Sequence, residues 1–205
     1  TMPDNERFEW AVKAASGMDR VRIPYSVMHK MARVFRENHF HVQCVVRKTS
    51  KDIFIYDILP ADSKPVIGGL AVDIGTTTVS AILMNMETGE ILAKASSGNG
   101  QIRYGADVIN RIIESQKPGG AERLQKAIIG ETINPLINEM CRSIQFPKNH
   151  IYRMAVAGNT TMNHLLMGVD AEPLRTQPYI PPFYKTNSLF ASDISKDIHN
   201  YSHII

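Results

Sequence analysis

Cysteine is scarce in this sequence: Cys44 and Cys141 are the two in 205 residues, and they lie far apart. A disulfide framework needs paired spacings and a thiolate metal site needs clusters, so neither is expected and a reducing compartment is. Long apolar runs are missing as well. No stretch of about 18 apolar residues is present, and the first residues lack the basic and apolar blocks of a signal peptide. The expectation is a soluble cytoplasmic protein with no membrane partner. Charge of one sign is also missing, because 23 Lys and Arg against 20 Asp and Glu leave only +3. The basic residues are scattered, so no nucleic-acid partner is expected. What remains is 43% hydrophobic and 21% charged, ordinary for a globular chain long enough for one good core or a small domain beside a medium one.

The most informative stretch runs from Gly68 to Leu83. Leu70, Ala71, Val72 and Ile74 form a run fit for a buried strand, and residues 79–84 form another. Between them lie Asp73, Gly75 and the triplet Thr76, Thr77, Thr78. A plain hairpin turn favours Asn-Gly or Asp-Gly rather than three threonines. Consecutive N–H groups in a Gly-containing turn form an anion-binding concavity, and a carboxylate at the strand end can hold a hydrated divalent cation. The combination suits a nucleoside triphosphate, with Asp73 on magnesium through water.

Before this stretch, the sequence predicts a helix stopped by Gly17, a second helix from near Ser26 whose apolar face carries Met28, Met31 and Phe35 as core, and two strands at residues 42–46 and 53–58. His39 and His41 stand two apart, the spacing of a metal pair on a strand. They flank a helix-to-strand junction with no third ligand nearby, which favours the bland reading. Residues 60–65 contain two prolines among small polar residues and read as a linker.

After it, Thr88-Gly89 predicts a hairpin turn into a third strand, followed by a polar loop at residues 97–101. Gly98, Gly100 and Gly105 have the wrong spacing for a dinucleotide fingerprint. A helix is expected over 106–114, a longer one over 121–143 kinked at Pro135, a strand over 151–157, and a short helix after Gly158. The last twenty residues carry weak signals.

Three consecutive hairpin strands, a helix pair, a strand and a helix resemble a ribonuclease-H-like subdomain. The turn from Asp73 to Thr78 is similar to the first phosphate loop of the acetate kinase, sugar kinase, heat-shock chaperone and actin superfamily. A longer set of strings is more specific. Residues 69–78, Tyr104-Gly105-Ala106-Asp107-Val108-Ile109-Asn110-Arg111 and Gly158-Asn159-Thr160-Thr161-Met162-Asn163-His164 together resemble the reductive activators of corrinoid proteins. The fold class implied is α/β: a small α/β middle domain at 1–65, then a ribonuclease-H-like, actin-like ATPase first subdomain at 66–180, then an irregular segment at 181–205. The resemblance implies ATP and magnesium as cofactors, an iron-sulfur cluster in an N-terminal domain of a longer parent, and a corrinoid protein or methyltransferase component as partner. A homodimer stays open.

The sequence departs from the family pattern in two places. Two cysteines cannot supply the four thiolates of a cluster, and no second phosphate loop follows Gly158. The expectation is an internal piece, inactive alone, whose ATP binding is weak or undetectable by calorimetry. A small-molecule kinase of the same superfamily and a non-catalytic partner-binding module are the competing readings.

The candidate residues divide accordingly. Asp73 is the catalytic and metal candidate, and Gly75, Thr76, Thr77 and Thr78 the phosphate loop. Asp107 reads equally as a helix cap or as an orienter of metal or water. Gly158, Asn159 and Thr160 read equally as an ordinary cap or as anion donors at a helix start. Asn99 and Gln101 are expected in a solvated loop rather than on a ligand, and His164 on its helix rather than in catalysis.

Overall fold

Proline and glycine divide the chain before any packing does. In the computed structural model, which describes residues 2–186, 189–194 and 203–204, the chain forms two compact units, Thr1–Pro65 and Val66–Ile205. The boundary falls at the Pro-containing linker.

In the first unit, α1 (Asp4–Ser16) follows Pro3 and ends at Gly17, whose N–H bonds Lys13. A two-residue strand, β1 (Val21–Arg22), leads through Pro24 into α2 (Tyr25–Glu37). Strands β2 (Val42–Lys48) and β3 (Ile53–Pro60) pair antiparallel, and β1 pairs parallel with β3, giving the order β1-β3-β2. Phe8, Val27, Met31, Phe35, Ile55 and Ile58 make the core, with the Phe8 and Phe35 rings 5.4 Å apart. Burying each such side chain stabilises by about 1.5–3 kcal/mol.

The inner stripe of α2 corrects one expectation. Met28 is 42% exposed, and Val27, one residue earlier, takes the core position with Met31 and Phe35 at i+4 and i+8. His39 and Phe40 both have positive φ and close the end of α2. Neither His39 nor His41 belongs to a group of three metal-ligating side chains among the described residues.

The second unit opens with a meander, β4 (Gly68–Ile74), β5 (Thr78–Asn85) and β6 (Ile91–Gly98), all antiparallel. Its hairpin lies at Thr88-Gly89 as expected, with Gly89 at φ 76 and bonded to the Asn85 carbonyl. A 3₁₀ turn at Gly100–Tyr104 leads to α3 (Val108–Ser115) and α4 (Gly120–Ile128). A π-helical turn, Ile129–Ile133, separates α4 from α5 (Asn134–Ser143). The expected kink thus lies one turn before Pro135. Thr132 donates its hydroxyl to the Ala127 carbonyl at 2.8 Å, so a side chain enters the helical ladder there. Pro135 sits in the first turn of α5, where its missing N–H costs little.

Strand β7 (Ile151–Gly158) pairs parallel with β4, and α6 (Thr160–Met167) follows it. The stretch from 181, expected to be irregular, contributes β8 (Leu189–Phe190), α7 (Ala191–Ile194) and β9 (His203–Ile204) among the described residues. The sheet order is β6-β5-β4-β7-β9-β8. A three-strand meander whose first strand takes a parallel fourth is the ribonuclease-H-like arrangement.

Alternation along the strands gives the sheet two unlike faces. Leu70, Val72 and Ile74 of β4 stand opposite Leu83, Ala81 and Val79 of β5 and pack on Ile112, Leu124, Ile128, Ile133, Leu136 and Leu165. On the other face Asp73, Ser80 and Ala157 stand in register across three strands, and all are exposed. No helix among the described residues is long and apolar enough to cross a membrane.

Candidate functional site

Because β4 and β7 are parallel neighbours, their C-terminal ends lie side by side. Ile74 pairs with Gly158, and the turns that follow these residues meet: Asn159 Nδ2 reaches Thr76 Oγ1 at 3.4 Å. Crevices at the carboxyl ends of parallel strands are where α/β sheets bind ligands. The topology therefore gathers Asp73, Gly75, Thr76, Gly158 and Asn159 at one edge of the sheet.

The turn from Gly75 to Thr78 is held from behind. Gly75 N–H bonds the Thr78 carbonyl at 2.9 Å. A Cβ at Gly75 would lie 2.6 Å from that same carbonyl oxygen, so the closure requires glycine. Asn99 donates from Nδ2 to the Gly75 carbonyl at 2.9 Å and from its backbone N–H to the Thr77 carbonyl at 2.8 Å. Arg111 donates from Nη2 to the Thr76 carbonyl at 2.6 Å. In a trans peptide the N–H points away from the C=O it shares a plane with. Carbonyls pinned inward thus leave the Thr76 and Thr77 N–H groups facing outward, and neither has a protein acceptor among the described residues. Two adjacent free donors in a turn are the raw material of an anion concavity, which makes this turn a candidate site.

Asn99 and Gln101 correct the expectation of a solvated loop. They are 2% and 1% exposed. Asn99 Oδ1 accepts the Gln101 N–H at 2.9 Å, Gln101 Nε2 donates to the Leu124 carbonyl at 3.0 Å, and the Gly100 N–H bonds Thr132 Oγ1 at 3.0 Å. The loop is folded under the turn as its support.

Asp73 is exposed, and its carboxylate makes no hydrogen bond or ion pair among the described residues. Its in-register neighbours Ser80 and Ala157 are small, which leaves space over its carboxylate. A hydrated magnesium ion is held through one or two carboxylates and the substrate's phosphates rather than by a protein cage. Asp73 fits that role, and the absence of a three-ligand cluster among the described residues is compatible with it.

Asp107 caps α3. Its Oδ1 accepts the Asn110 N–H at 2.8 Å and its Oδ2 accepts Asn110 Nδ2 at 2.9 Å. Asn159 caps α6 through Oδ1 on the Met162 N–H at 2.9 Å, while its amide nitrogen faces Thr76. Gly158 supplies its carbonyl to Asn163 Nδ2 at 3.2 Å, and the Thr160 carbonyl accepts from His164 Nδ1 at 2.7 Å. His164 is fully buried on its helix and stacked on Phe183 at 4.1 Å.

Sequence reasoning missed Arg111 as a working residue. Positions 108, 111, 112 and 115 form one helical face, and an arginine in such a face was the available signal.

Residues 68–205 match the family model described as the RACo middle region, and residues 1–65 match the one described as the RACo linker region. This chain belongs to the RACo family. The corrinoid activation enzyme RamQ of Eubacterium limosum is 31% identical to it over 159 residues, which is 76% of this chain and 26% of RamQ. A solved reductive activator for corrinoid, iron-sulfur protein matches with a TM-score of 0.83 at 29% identity, covering 99% of this chain and 32% of that one. This RACo-family chain spans less than a third of the length of either relative. The resemblance to reductive activators of corrinoid proteins is thereby borne out. The linker and middle regions of the family divide where the two compact units do.

Proposed function

We propose that this chain carries the first phosphate-binding loop of an ATP-dependent reductive activator of a corrinoid protein. The observation that carries the reading is the turn from Gly75 to Thr78, whose inward-held carbonyls leave the Thr76 and Thr77 N–H groups free beside the unpaired Asp73 carboxylate. Phosphoryl chemistry is mainly positioning and charge neutralisation, and these groups are equipment for both.

Asp73 would hold magnesium through bound water, and the ion would neutralise phosphate charge. Thr76 and Thr77 donate to phosphate oxygens from the backbone, with the Thr76, Thr77 and Thr78 hydroxyls nearby. Asn159 steadies Thr76 from the second turn, and the α6 N-terminus adds the Thr160 end of a short helix. Asp107 acts by fixing the start of α3, the helix that carries Arg111. The chain holds no cluster site of its own, since its two cysteines are half of the thiolates needed. An iron-sulfur cluster belongs to a separate part of a longer protein in this reading, and the partner is a corrinoid protein, the class named for both relatives.

The test is made in a protein of the relatives' full length. Asp73→Ala is expected to abolish magnesium-dependent ATP hydrolysis and the coupled reduction of the corrinoid partner. Unchanged turnover in that variant ends the proposal.

A further inference from the structure

Arg111 is fully buried, and among the described residues no carboxylate forms an ion pair with it. An isolated buried charge is expensive unless dipoles or a counter-ion compensate it. Here the compensation is made of neutral acceptors. Nε donates to the Gly105 carbonyl at 2.8 Å and Nη2 to the Thr76 carbonyl at 2.6 Å, while Nη1 faces Gln101 Oε1 at 3.5 Å and Met162 Sδ at 3.4 Å. Desolvation lowers its pKa, with the Asp107 charge opposing that shift. A leucine or methionine would fill a core position on α3 without this cost, so the charge needs a reason.

The reason lies in which peptide Arg111 touches. The carbonyl of Thr76 and the N–H of Thr77 belong to one peptide group, and they point to opposite sides of it. A guanidinium on the carbonyl polarises the group and strengthens the N–H as a donor, as happens along any hydrogen-bonded chain in a low-dielectric interior. Asn99 does the same, without charge, to the peptide that carries the Thr76 N–H.

We infer that Arg111 is a positioning residue for the anion turn: it fixes the Thr76–Thr77 peptide with its N–H outward and supplies the positive charge whose counter-ion is a bound phosphate group. The inference rests on the phosphate-loop reading above and extends it to the group that makes the loop electropositive. Arg111 touches no ligand atom itself. Its charge acts through one peptide.

The test is a titration of the isotopically labelled protein with sodium pyrophosphate, followed by NMR at the Thr76 and Thr77 amides and at the Arg111 Nε–H. In the wild-type chain all three signals are expected to move along one saturation curve. Arg111→Met should weaken binding by roughly 10- to 100-fold, and Arg111→Lys, which keeps charge without the fork, by less. If the amides respond while the Arg111 Nε–H is silent, or if folded variants bind as the wild type does, the role of Arg111 is overturned and the phosphate loop stands. If the wild-type amides do not respond at all, the phosphate-loop reading fails and this inference with it. Should the variants fail to fold, the wild-type Nε–H signal decides alone, because a purely structural arginine has no cause to follow pyrophosphate.

Discussion

Asn99 holds the Gly75 carbonyl from 24 residues away in sequence, through an Nδ2···O hydrogen bond of 2.9 Å. The same side chain accepts the Gln101 N–H, so one buried amide ties the end of β6 to the turn after β4 and to the 3₁₀ turn that follows it. The amide serves both neighbours at once, because one requires a donor and the other an acceptor.

Asn99→Asp therefore separates the two bonds. It keeps the acceptor for Gln101 and places a carboxylate against the Gly75 carbonyl oxygen. Both Asn99→Asp and Asn99→Leu are expected to destabilise the second unit by about 1–3 kcal/mol, the cost of buried polar groups left unpaired. Chemical denaturation measures this directly. An unchanged midpoint in both variants shows that the amide is not the support of the turn.

Gly75→Ala addresses the same turn from its inner side. The added methyl would lie 2.6 Å from the Thr78 carbonyl oxygen, which is backbone and cannot swing aside. The expected loss is about 1–3 kcal/mol of stability, with the Thr76 and Thr77 amides shifted in an NMR spectrum. Gly98→Ala is the control, since nothing lies within 4 Å of its added carbon. Equal effects of the two substitutions contradict the close-approach argument.

Periodicity and punctuation made much of the fold legible. The meander from Gly68 to Ser96, the Thr88-Gly89 hairpin and the strand ending at Gly158 follow from apolar runs bounded by glycine. What one-dimensional pattern could not carry was the direction in which a polar side chain points. Asn99 and Gln101 sit among Gly, Ser and Arg and read as solvated loop, yet they are buried because the 3₁₀ turn folds them beneath Gly75. Arg111 escaped for the same reason: its partners, Gly105 and Thr76, are carbonyls, and carbonyls are invisible in a sequence. Met28 shows the smaller error, a one-residue phase on a helix, where Val27 and Met28 are equally apolar and only packing chooses.

The thiols are expected to be sluggish. Burial, reinforced by the Asp57 carboxylate, pushes the Cys44 thiol up to about 11, and burial raises that of Cys141 against the opposing charge of Lys148. Since the thiolate is the nucleophile, alkylation of the native protein near neutral pH should be far slower than in denaturant. The Cys44 rate should rise about tenfold per pH unit until the thiol ionises. Rapid labelling of the half-buried Cys44 in the native protein near neutral pH contradicts the upward shift of its thiol.

Acid sensitivity of the second unit is expected to involve Glu114. Lys117 lies 2.6 Å from one of its oxygens and Arg123 2.8 Å from the other, tying α3 to the start of α4. Hydrogen bonds from Lys117 first and Arg123 second hold its carboxyl below the ordinary value of 4.5. A carboxyl depressed in the folded state takes up its proton more readily when unfolded. Its contribution is therefore complete above the ordinary carboxylate range and is lost as pH falls through the depressed folded value. Glu114→Gln, which cannot ionise, should be less stable than the wild type near neutral pH, and the difference should shrink as the medium is acidified below 4.5. Urea midpoints of the two proteins measured across that window provide the check. A gap independent of pH means that the two cations do not stabilise the carboxylate, and that α3 and α4 are joined by packing alone.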